Sequence, residues 1–235
     1  MSIFKFKHFT VNQKVSVMKV GTDAMILGAF IDTVNKKHAL DIGTGTGVIS
    51  LMLAQKNEAL HVTGIEIDSE SAFEAQLNFE ESLWSNRLSI IQNDFLLNDF
   101  KGKQYDLIVS NPPYFSTTNE NLDERKAKAR HVSSLQIIPF IEKVNELLTV
   151  DGNFWLIIPF DDYQLWQNQF KVNSLYVNQK IDVIGKVGAT PIRCILNISR
   201  LFNQHKEEIF CIRNSNGEYT EEYIDLTKEF HGVEL

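Results

Sequence analysis

The chain has 235 residues, 43% of them hydrophobic, with sixteen Phe, and a formal net charge of −7. That length and apolar content are enough for one sizeable core and suggest one domain, taken here as residues 1–235, or two small ones, while the charge excludes a chain that binds nucleic acid through overall basicity, although an acidic total still permits a local basic face. Two cysteines, Cys194 and Cys211, with no CxxC and no His at ligand spacing, argue against a disulfide framework and for no metal; no stretch approaches the ~18 apolar residues of a membrane span and the start lacks the apolar run of a leader, so a cytoplasmic protein with no membrane partner is expected.

Along the chain, strands and helices alternate. His38–Ile42 is a short apolar run ending at a Gly-rich turn, and Val48–Gln55 has helical spacing. His61–Ile67 alternates and is rich in β-branched residues. Ser69–Leu83 follows as an amphipathic helix, with Asp68 or Ser69 as N-cap. Leu88–Gln92 is a third strand, and Tyr105–Ser110 a fourth, apolar enough to be buried on both faces. Ser134–Leu148 is predicted helical, then Gly152–Pro159, Leu175–Ile184 and Arg193–Leu201 as strands. This alternation gives a parallel sheet covered on both faces. Only the loop Gly185–Pro191 joins the last two strands, so that pair is expected to be antiparallel, an ending that separates a methyltransferase sheet from a dinucleotide-binding one. The tail, Tyr219–Phe230, reads as a closing helix.

Three strand ends carry ligand-type residues. Asp41-Ile42-Gly43-Thr44-Gly45-Thr46-Gly47 ends the first strand, where glycines let the backbone turn sharply and approach a ligand closely. A nicotinamide dinucleotide site wants G-x-G-x-x-G/A, but Val48 stands at its last position and the third Gly comes one residue early. The G-x-G-x-G spacing after an acid fits an S-adenosylmethionine loop better. Glu66, ending the second strand, can accept both ribose hydroxyls of an adenosine, as NAD sites do; a solvated strand-end acid is the alternative. Asp94, after the third strand, can accept an adenine amino group, with Phe95 covering the ring, unless the pair is an ordinary polar turn. Asp41, Gly43, Gly45, Gly47, Glu66, Asp94 and Phe95 are therefore the candidate cofactor residues.

The fourth strand runs into Asn111-Pro112-Pro113-Tyr114-Phe115. An adenine or amide nitrogen is a poor nucleophile because its lone pair is delocalised. The Asn111 side-chain oxygen and the Pro112 carbonyl can each accept one N–H of such an amine, holding it in line with a methyl donor and stabilising developing positive charge. The prolines stiffen the turn, and Tyr114 can stack on a planar substrate. Asn111, Pro112 and Tyr114 are the catalytic candidates, Asn111 also bordering the cofactor, with Pro113 and Phe115 beside them on the substrate side. No strong general base is evident, and water can take the proton once the nitrogen is methylated.

Arg125, Lys126, Lys128 and Arg130, with His131, follow directly and could meet RNA phosphates, although Asp123 and Glu124 offset part of their charge and such runs are commonly solvated surface. Lys5, Lys7, Lys14 and Lys19, interleaved with Phe4, Phe6 and Phe9, form a second basic stretch; Lys186 and Arg193, flanking the final loop, form a third.

With these residues in hand, the chain resembles the bacterial tRNA1(Val) adenine-37 N6-methyltransferases, nearly end to end. Asn111–Tyr114 and the Gly-rich loop are shared with many class I methyltransferases. More specific are residues 18–30, Met-Lys-Val-Gly-Thr-Asp-Ala-Met-Ile-Leu-Gly-Ala-Phe, and the ending Leu226–Phe230. The resemblance implies a class I, Rossmann-like methyltransferase fold: a seven-stranded, mostly parallel sheet with an antiparallel final strand and helices on both faces. It implies S-adenosyl-L-methionine as cofactor and an adenosine in a tRNA anticodon loop as substrate, a single-stranded base that can be splayed out. It also adds Gly21, Thr22 and Asp23 over the methionine end of the donor, where residue spacing alone suggests only a helix N-cap. The organisation expected is a closing segment (1–37), a core sheet (38–202) and a C-terminal extension (203–235). Adenine methylation on rRNA or DNA keeps the same chemistry. So does glutamine methylation in release factors, though those enzymes carry a helical domain before the cofactor loop and only 40 residues precede Asp41 here. A nucleoside-binding module without catalysis has no need of Asn111 and Pro112, and an NAD oxidoreductase lacks its third glycine.

Overall fold

The computed structural model describes residues 3–16, 19–112 and 137–232. An eight-stranded sheet forms the centre, in the order β10-β8-β9-β7-β6-β3-β4-β5. Strands β3 (His38–Ile42), β4 (His61–Glu66), β5 (Leu88–Gln92), β6 (Tyr105–Ser110) and β7 (Leu148–Pro159) run parallel to one another. Strand β9 (Pro191–Ser199) is inserted antiparallel between β7 and β8 (Tyr176–Lys186), as the tight loop between the last two predicted strands requires. Seven strands, the last reversed, are thus those expected.

The eighth, β10 (Lys206–Arg213), lies in the segment read as an extension beyond the sheet and pairs parallel with β8. Its run Lys-Glu-Glu-Ile-Phe-Cys-Ile-Arg hides the pattern. Phe210 is fully buried and Ile212 nearly so, but the outer positions are charged and Ile209 is exposed. Charge on an edge strand blocks pairing with another chain.

Helices cover both faces. On one lie α1 (Thr22–Phe30), α2 (Val48–Lys56), α3 (Ser69–Glu80) and α6 (Glu221–Thr227), packed on Leu107, Val109, Trp155, Ile157, Ile181, Ile195 and Phe210. On the other, α4, helical over 137–147, and α5 (Tyr163–Val172) pack on Ile108, Phe154, Leu156, Ile158, Leu196 and Ile198. Alternate residues of β6 and β7 thus serve opposite faces, the period-two rule of a strand. The first turn of the predicted 134–148 helix falls outside the described residues, and Leu148 opens β7 by pairing with Tyr105. The predicted helix over 69–83 ends at Glu80, and Asp68 caps it by accepting from Ser71 N at 2.8 Å.

Before the sheet, β1 (Ile3–Lys5) and β2 (Thr10–Asn12) form a small hairpin. Phe6 and Phe9, expected beside the lysines as a nucleic-acid surface, are instead buried and stacked, with ring centroids 4.3 Å apart. Lys7 pairs with Glu229, and Lys19 donates to the Gln13 carbonyl. The apolar period of this stretch therefore reflects core packing. Cys194 is buried in the core, as a small apolar residue would be, and burial pushes its thiol up to about 12.

Candidate active site

Register places one set of ends along a single edge of the sheet. Asp41 aligns with Gly64 and Val109, Gly64 with Ile90, Pro159 with Arg193, and Lys186 with Arg213. The carboxyl ends of β3 to β8 and β10 therefore share an edge with the start of β9. A cavity of about 800 Å³ opens there, the position where ligands of open α/β sheets bind.

The Gly-rich loop forms its floor. Gly43, Gly45 and Gly47 all have positive φ, at 68°, 54° and 82°. A Cβ on Gly43 or Gly45 would meet nothing within 4 Å, so the bare backbone faces open space. Gly47 differs: a Cβ there would lie 2.4 Å from the Phe79 ring, so this glycine serves loop packing against α3. Asp41 also stands behind the loop. It is 1% exposed, and its Oδ2 accepts from Thr44 Oγ1 (2.7 Å), Ser50 Oγ (2.7 Å) and Ser50 N (3.2 Å). Since Gly47 caps α2 without a side chain, Asp41 supplies the carboxylate that the first turn of the helix favours. Burial pushes its carboxyl up to about 6, against the pull of the Thr44 and Ser50 hydrogen bonds. Asp41 and Gly47 thus reach the site through the shape of the loop, whereas the sequence reading set them among the cofactor contacts.

Glu66 lies on the cavity wall. Its Oε2 accepts from Gly45 N at 2.9 Å and its Oε1 from Asp68 N at 3.0 Å, so strand end and loop hold each other. Asp94 and Phe95 join the same wall; one Asp94 oxygen accepts from Leu96 N at 2.7 Å. Phe95 is 8% exposed, its ring 5.3 Å from that of Phe140, so it is a core residue with one edge on the cavity. Bare loop backbone, a carboxylate at the second strand end and a carboxylate beside an aromatic at the third are the donor and acceptor set that a nucleoside needs.

The segment before α1 closes over this floor. Glu74, buried on α3, accepts from the backbone N–H groups of Lys14 (2.5 Å) and Ser16 (3.0 Å). Asn78 donates to both the Asn12 and Thr46 carbonyls, tying the segment to the Gly-rich loop. Gly21, Thr22 and Asp23 then line the cavity at the start of α1, where Asp23 Oδ2 accepts from Arg193 Nε at 3.0 Å. Arg193, considered for RNA, therefore holds α1 to the sheet across 170 positions of sequence.

Asn111 lines the cavity between the two halves of the edge, and Pro112 follows it. Ser110, the last residue of β6, donates to the Ile42 carbonyl at 2.9 Å and fixes the exit of that strand. Pro113, Tyr114, Phe115, Arg125, Lys126, Lys128, Arg130 and His131 lie outside the described residues, as does Met18. Sequence reasoning missed the far wall, where Gly185, Ile192, Ile212, Arg213 and Tyr219 face the same cavity. Only the odd pairing of an Arg with a Tyr six residues on, across Asn-Gly, could have drawn attention to it.

Fold and site together define a methyltransferase: residues 15–164 match the family described as Methyltransferase small domain, to which the chain belongs. Solved structures agree at the level of fold. A predicted O-methyltransferase from Agrobacterium tumefaciens superposes with a TM-score of 0.67 at 15% identity, over 88% of this chain and 96% of that one. A SAM-dependent methyltransferase from Corynebacterium glutamicum gives 0.53 at 14%, over 79% and 90%. Within the class, the chain belongs to the tRNA1(Val) (adenine(37)-N6)-methyltransferases. It is 37% identical to the one from Flavobacteriaceae bacterium (strain 3519-10) over the whole of both chains, and 38% identical to one from Bacteroides fragilis over 97% of each.

Proposed function

We propose that the protein transfers a methyl group from S-adenosylmethionine to N6 of adenosine 37 in the anticodon loop of a valine tRNA, and that it works in the cytoplasm as one domain. The observation that carries this reading is the single cavity shared by Asn111 and the nucleoside-type residues Glu66 and Asp94. S-adenosylmethionine, when bound, supplies a methyl group activated on a sulfonium. Glu66 takes the ribose hydroxyls, Asp94 and the Phe95 edge take the adenine, and the bare backbone of Gly43 and Gly45 admits close approach. Gly21, Thr22 and Asp23 cover the opposite side.

Asn111 and Pro112 do the chemistry. Their oxygens accept the two N–H groups of the substrate amine, which fixes its lone pair toward the methyl group and stabilises charge as the new C–N bond forms. Tyr114 stacks on the base, a contact worth about 1–3 kcal/mol in single-stranded recognition. The proton leaves to water after transfer. In the basic segment, Arg125, Lys126, Lys128 and Arg130 meet phosphates of the loop.

The test is transfer of labelled methyl to unmodified bulk tRNA, followed by nucleoside analysis. The expected product is N6-methyladenosine in one valine tRNA. Label in ribosomal RNA, DNA or a release factor instead would keep the Asn111 chemistry and discard the tRNA.

A further inference from the structure

Arg213 ends β10 level with Lys186, on the cavity edge of the sheet. The chain then turns back: Asn214 N donates to the Glu218 carbonyl, Gly217 takes φ 93°, and Tyr219 bridges to Arg213. This tight return sets the Tyr219 ring against the guanidinium, whose carbon is 4.1 Å from the ring centroid. The other face of Tyr219 lies on Tyr223, with centroids 4.4 Å apart and planes 10° off parallel. Tyr223 is 2% exposed and seated in the core. A column rises from the core through two rings to a guanidinium at the cavity wall.

Both faces of Tyr219 are covered, so the guanidinium is the flat surface this column offers. One of its five N–H groups is committed, from Nη1 to the Gly217 carbonyl at 2.7 Å, which fixes its plane. Among the described residues no acceptor takes the others. Ile192 and Ile212 add apolar surface to the same cavity. An anchored guanidinium plane with spare donors, beside apolar surface, suits an unstacked nucleobase: bases stack on Arg planes as they do on aromatic rings.

We propose that Arg213, braced by Tyr219 and Tyr223, is the stacking platform for the RNA nucleotide next to the reacting adenosine, in the half of the cavity away from Glu66 and Asp94. This rests on the RNA substrate proposed above. Arg213 is a specificity-determining residue: it positions the loop so that only one base reaches Asn111.

The experiment uses the full chain with unmodified valine tRNA transcript, measuring KM for tRNA and for the donor, direct tRNA Kd by filter retention, and Tm. Arg213→Ala should raise tRNA KM and Kd about tenfold, the scale of one lost stacking contact, and leave donor KM within about twofold. Arg213→Lys keeps the positive charge and can still reach the Gly217 carbonyl but has no plane, so it should behave like the Ala variant. Wild-type affinity in Arg213→Lys would show a simple charge contact and overturn the stacking platform, as would unchanged KM and Kd in Arg213→Ala. Should Arg213→Ala lose the fold, seen as a low Tm with donor binding lost in parallel, the Lys variant decides alone. Wild-type protein that transfers no methyl to tRNA would sink the parent reading, and the Kd series, which needs no turnover, would still judge Arg213.

Discussion

Asp41 offers a quantitative test of how the Gly-rich loop is held. Its carboxyl is fully buried, accepts three hydrogen bonds on one oxygen and, among the described residues, has no partner on the other. Burial moves it from its ordinary 3.8 to about 6. The folded protein therefore keeps this proton at pH values where the unfolded chain has lost it. Stability conferred by this group is greatest below pH 3.8 and falls as pH rises toward 6, then levels off. The full span is about 3 kcal/mol, and about 1.4 kcal/mol of it lies between pH 5 and pH 7.5. Asp41→Asn keeps an acceptor for Thr44 and Ser50 but cannot titrate. Urea unfolding of both proteins, followed by tryptophan fluorescence, should show wild type gaining about 1.4 kcal/mol on the Asn variant as pH drops from 7.5 to 5. A constant difference across that range would refute the reasoning. Asp41→Ala, which strands Ser50 N at the buried start of α2, should cost about 3 kcal/mol at pH 7.5 and, having lost the same titration, about 1.4 kcal/mol more at pH 5.

Four further substitutions test the same geometry. Gly47→Ala sets a methyl against Phe79 at positive φ and should destabilise by about 2–4 kcal/mol, read as a fall in Tm, while Gly45→Ala, facing open space, should chiefly weaken donor binding. Glu66→Ala should weaken binding of S-adenosylhomocysteine in calorimetry at least tenfold, since it loses both the ribose acceptor and the brace on Gly45 N; an effect on turnover alone would mean the ribose sits elsewhere. Asn111→Ala should abolish methyl transfer yet keep donor affinity within about threefold, and parallel loss of binding would move the catalytic role off this loop.

The parallel half of the fold was legible because β3, β4, β5 and β6 are short apolar runs, each ending in Gly, acid or Asn at the cavity edge. Their ends line the cavity, so fold and candidate site were legible in the same residues. Helix α5 escaped notice because only Trp166 and Phe170 are buried in a run otherwise rich in Gln and Asn. Strand β10 escaped because an edge strand hides its pattern behind charge. The contact of Asp23 with Arg193 joins residues 170 positions apart, and no local spacing encodes it, whereas that of Arg213 with Tyr219 is a local return marked only by Asn216-Gly217 between them. Phe6 and Phe9 misled for a related reason: an aromatic between lysines reads alike whether its ring faces solvent or core.

The reversal of β9 has an evolutionary corollary. Because that strand runs backwards, the turn 187–190 sits on the same rim as the Gly-rich loop, joined to the rest by β8, β9 and the bond from Val187 N to the Arg213 carbonyl. Its length can drift without moving the Gly-rich loop or Asn111. One half of the rim can thus be inherited intact for its donor chemistry while the other is rewritten for a new recipient, and an engineer seeking a different RNA target would insert residues there first.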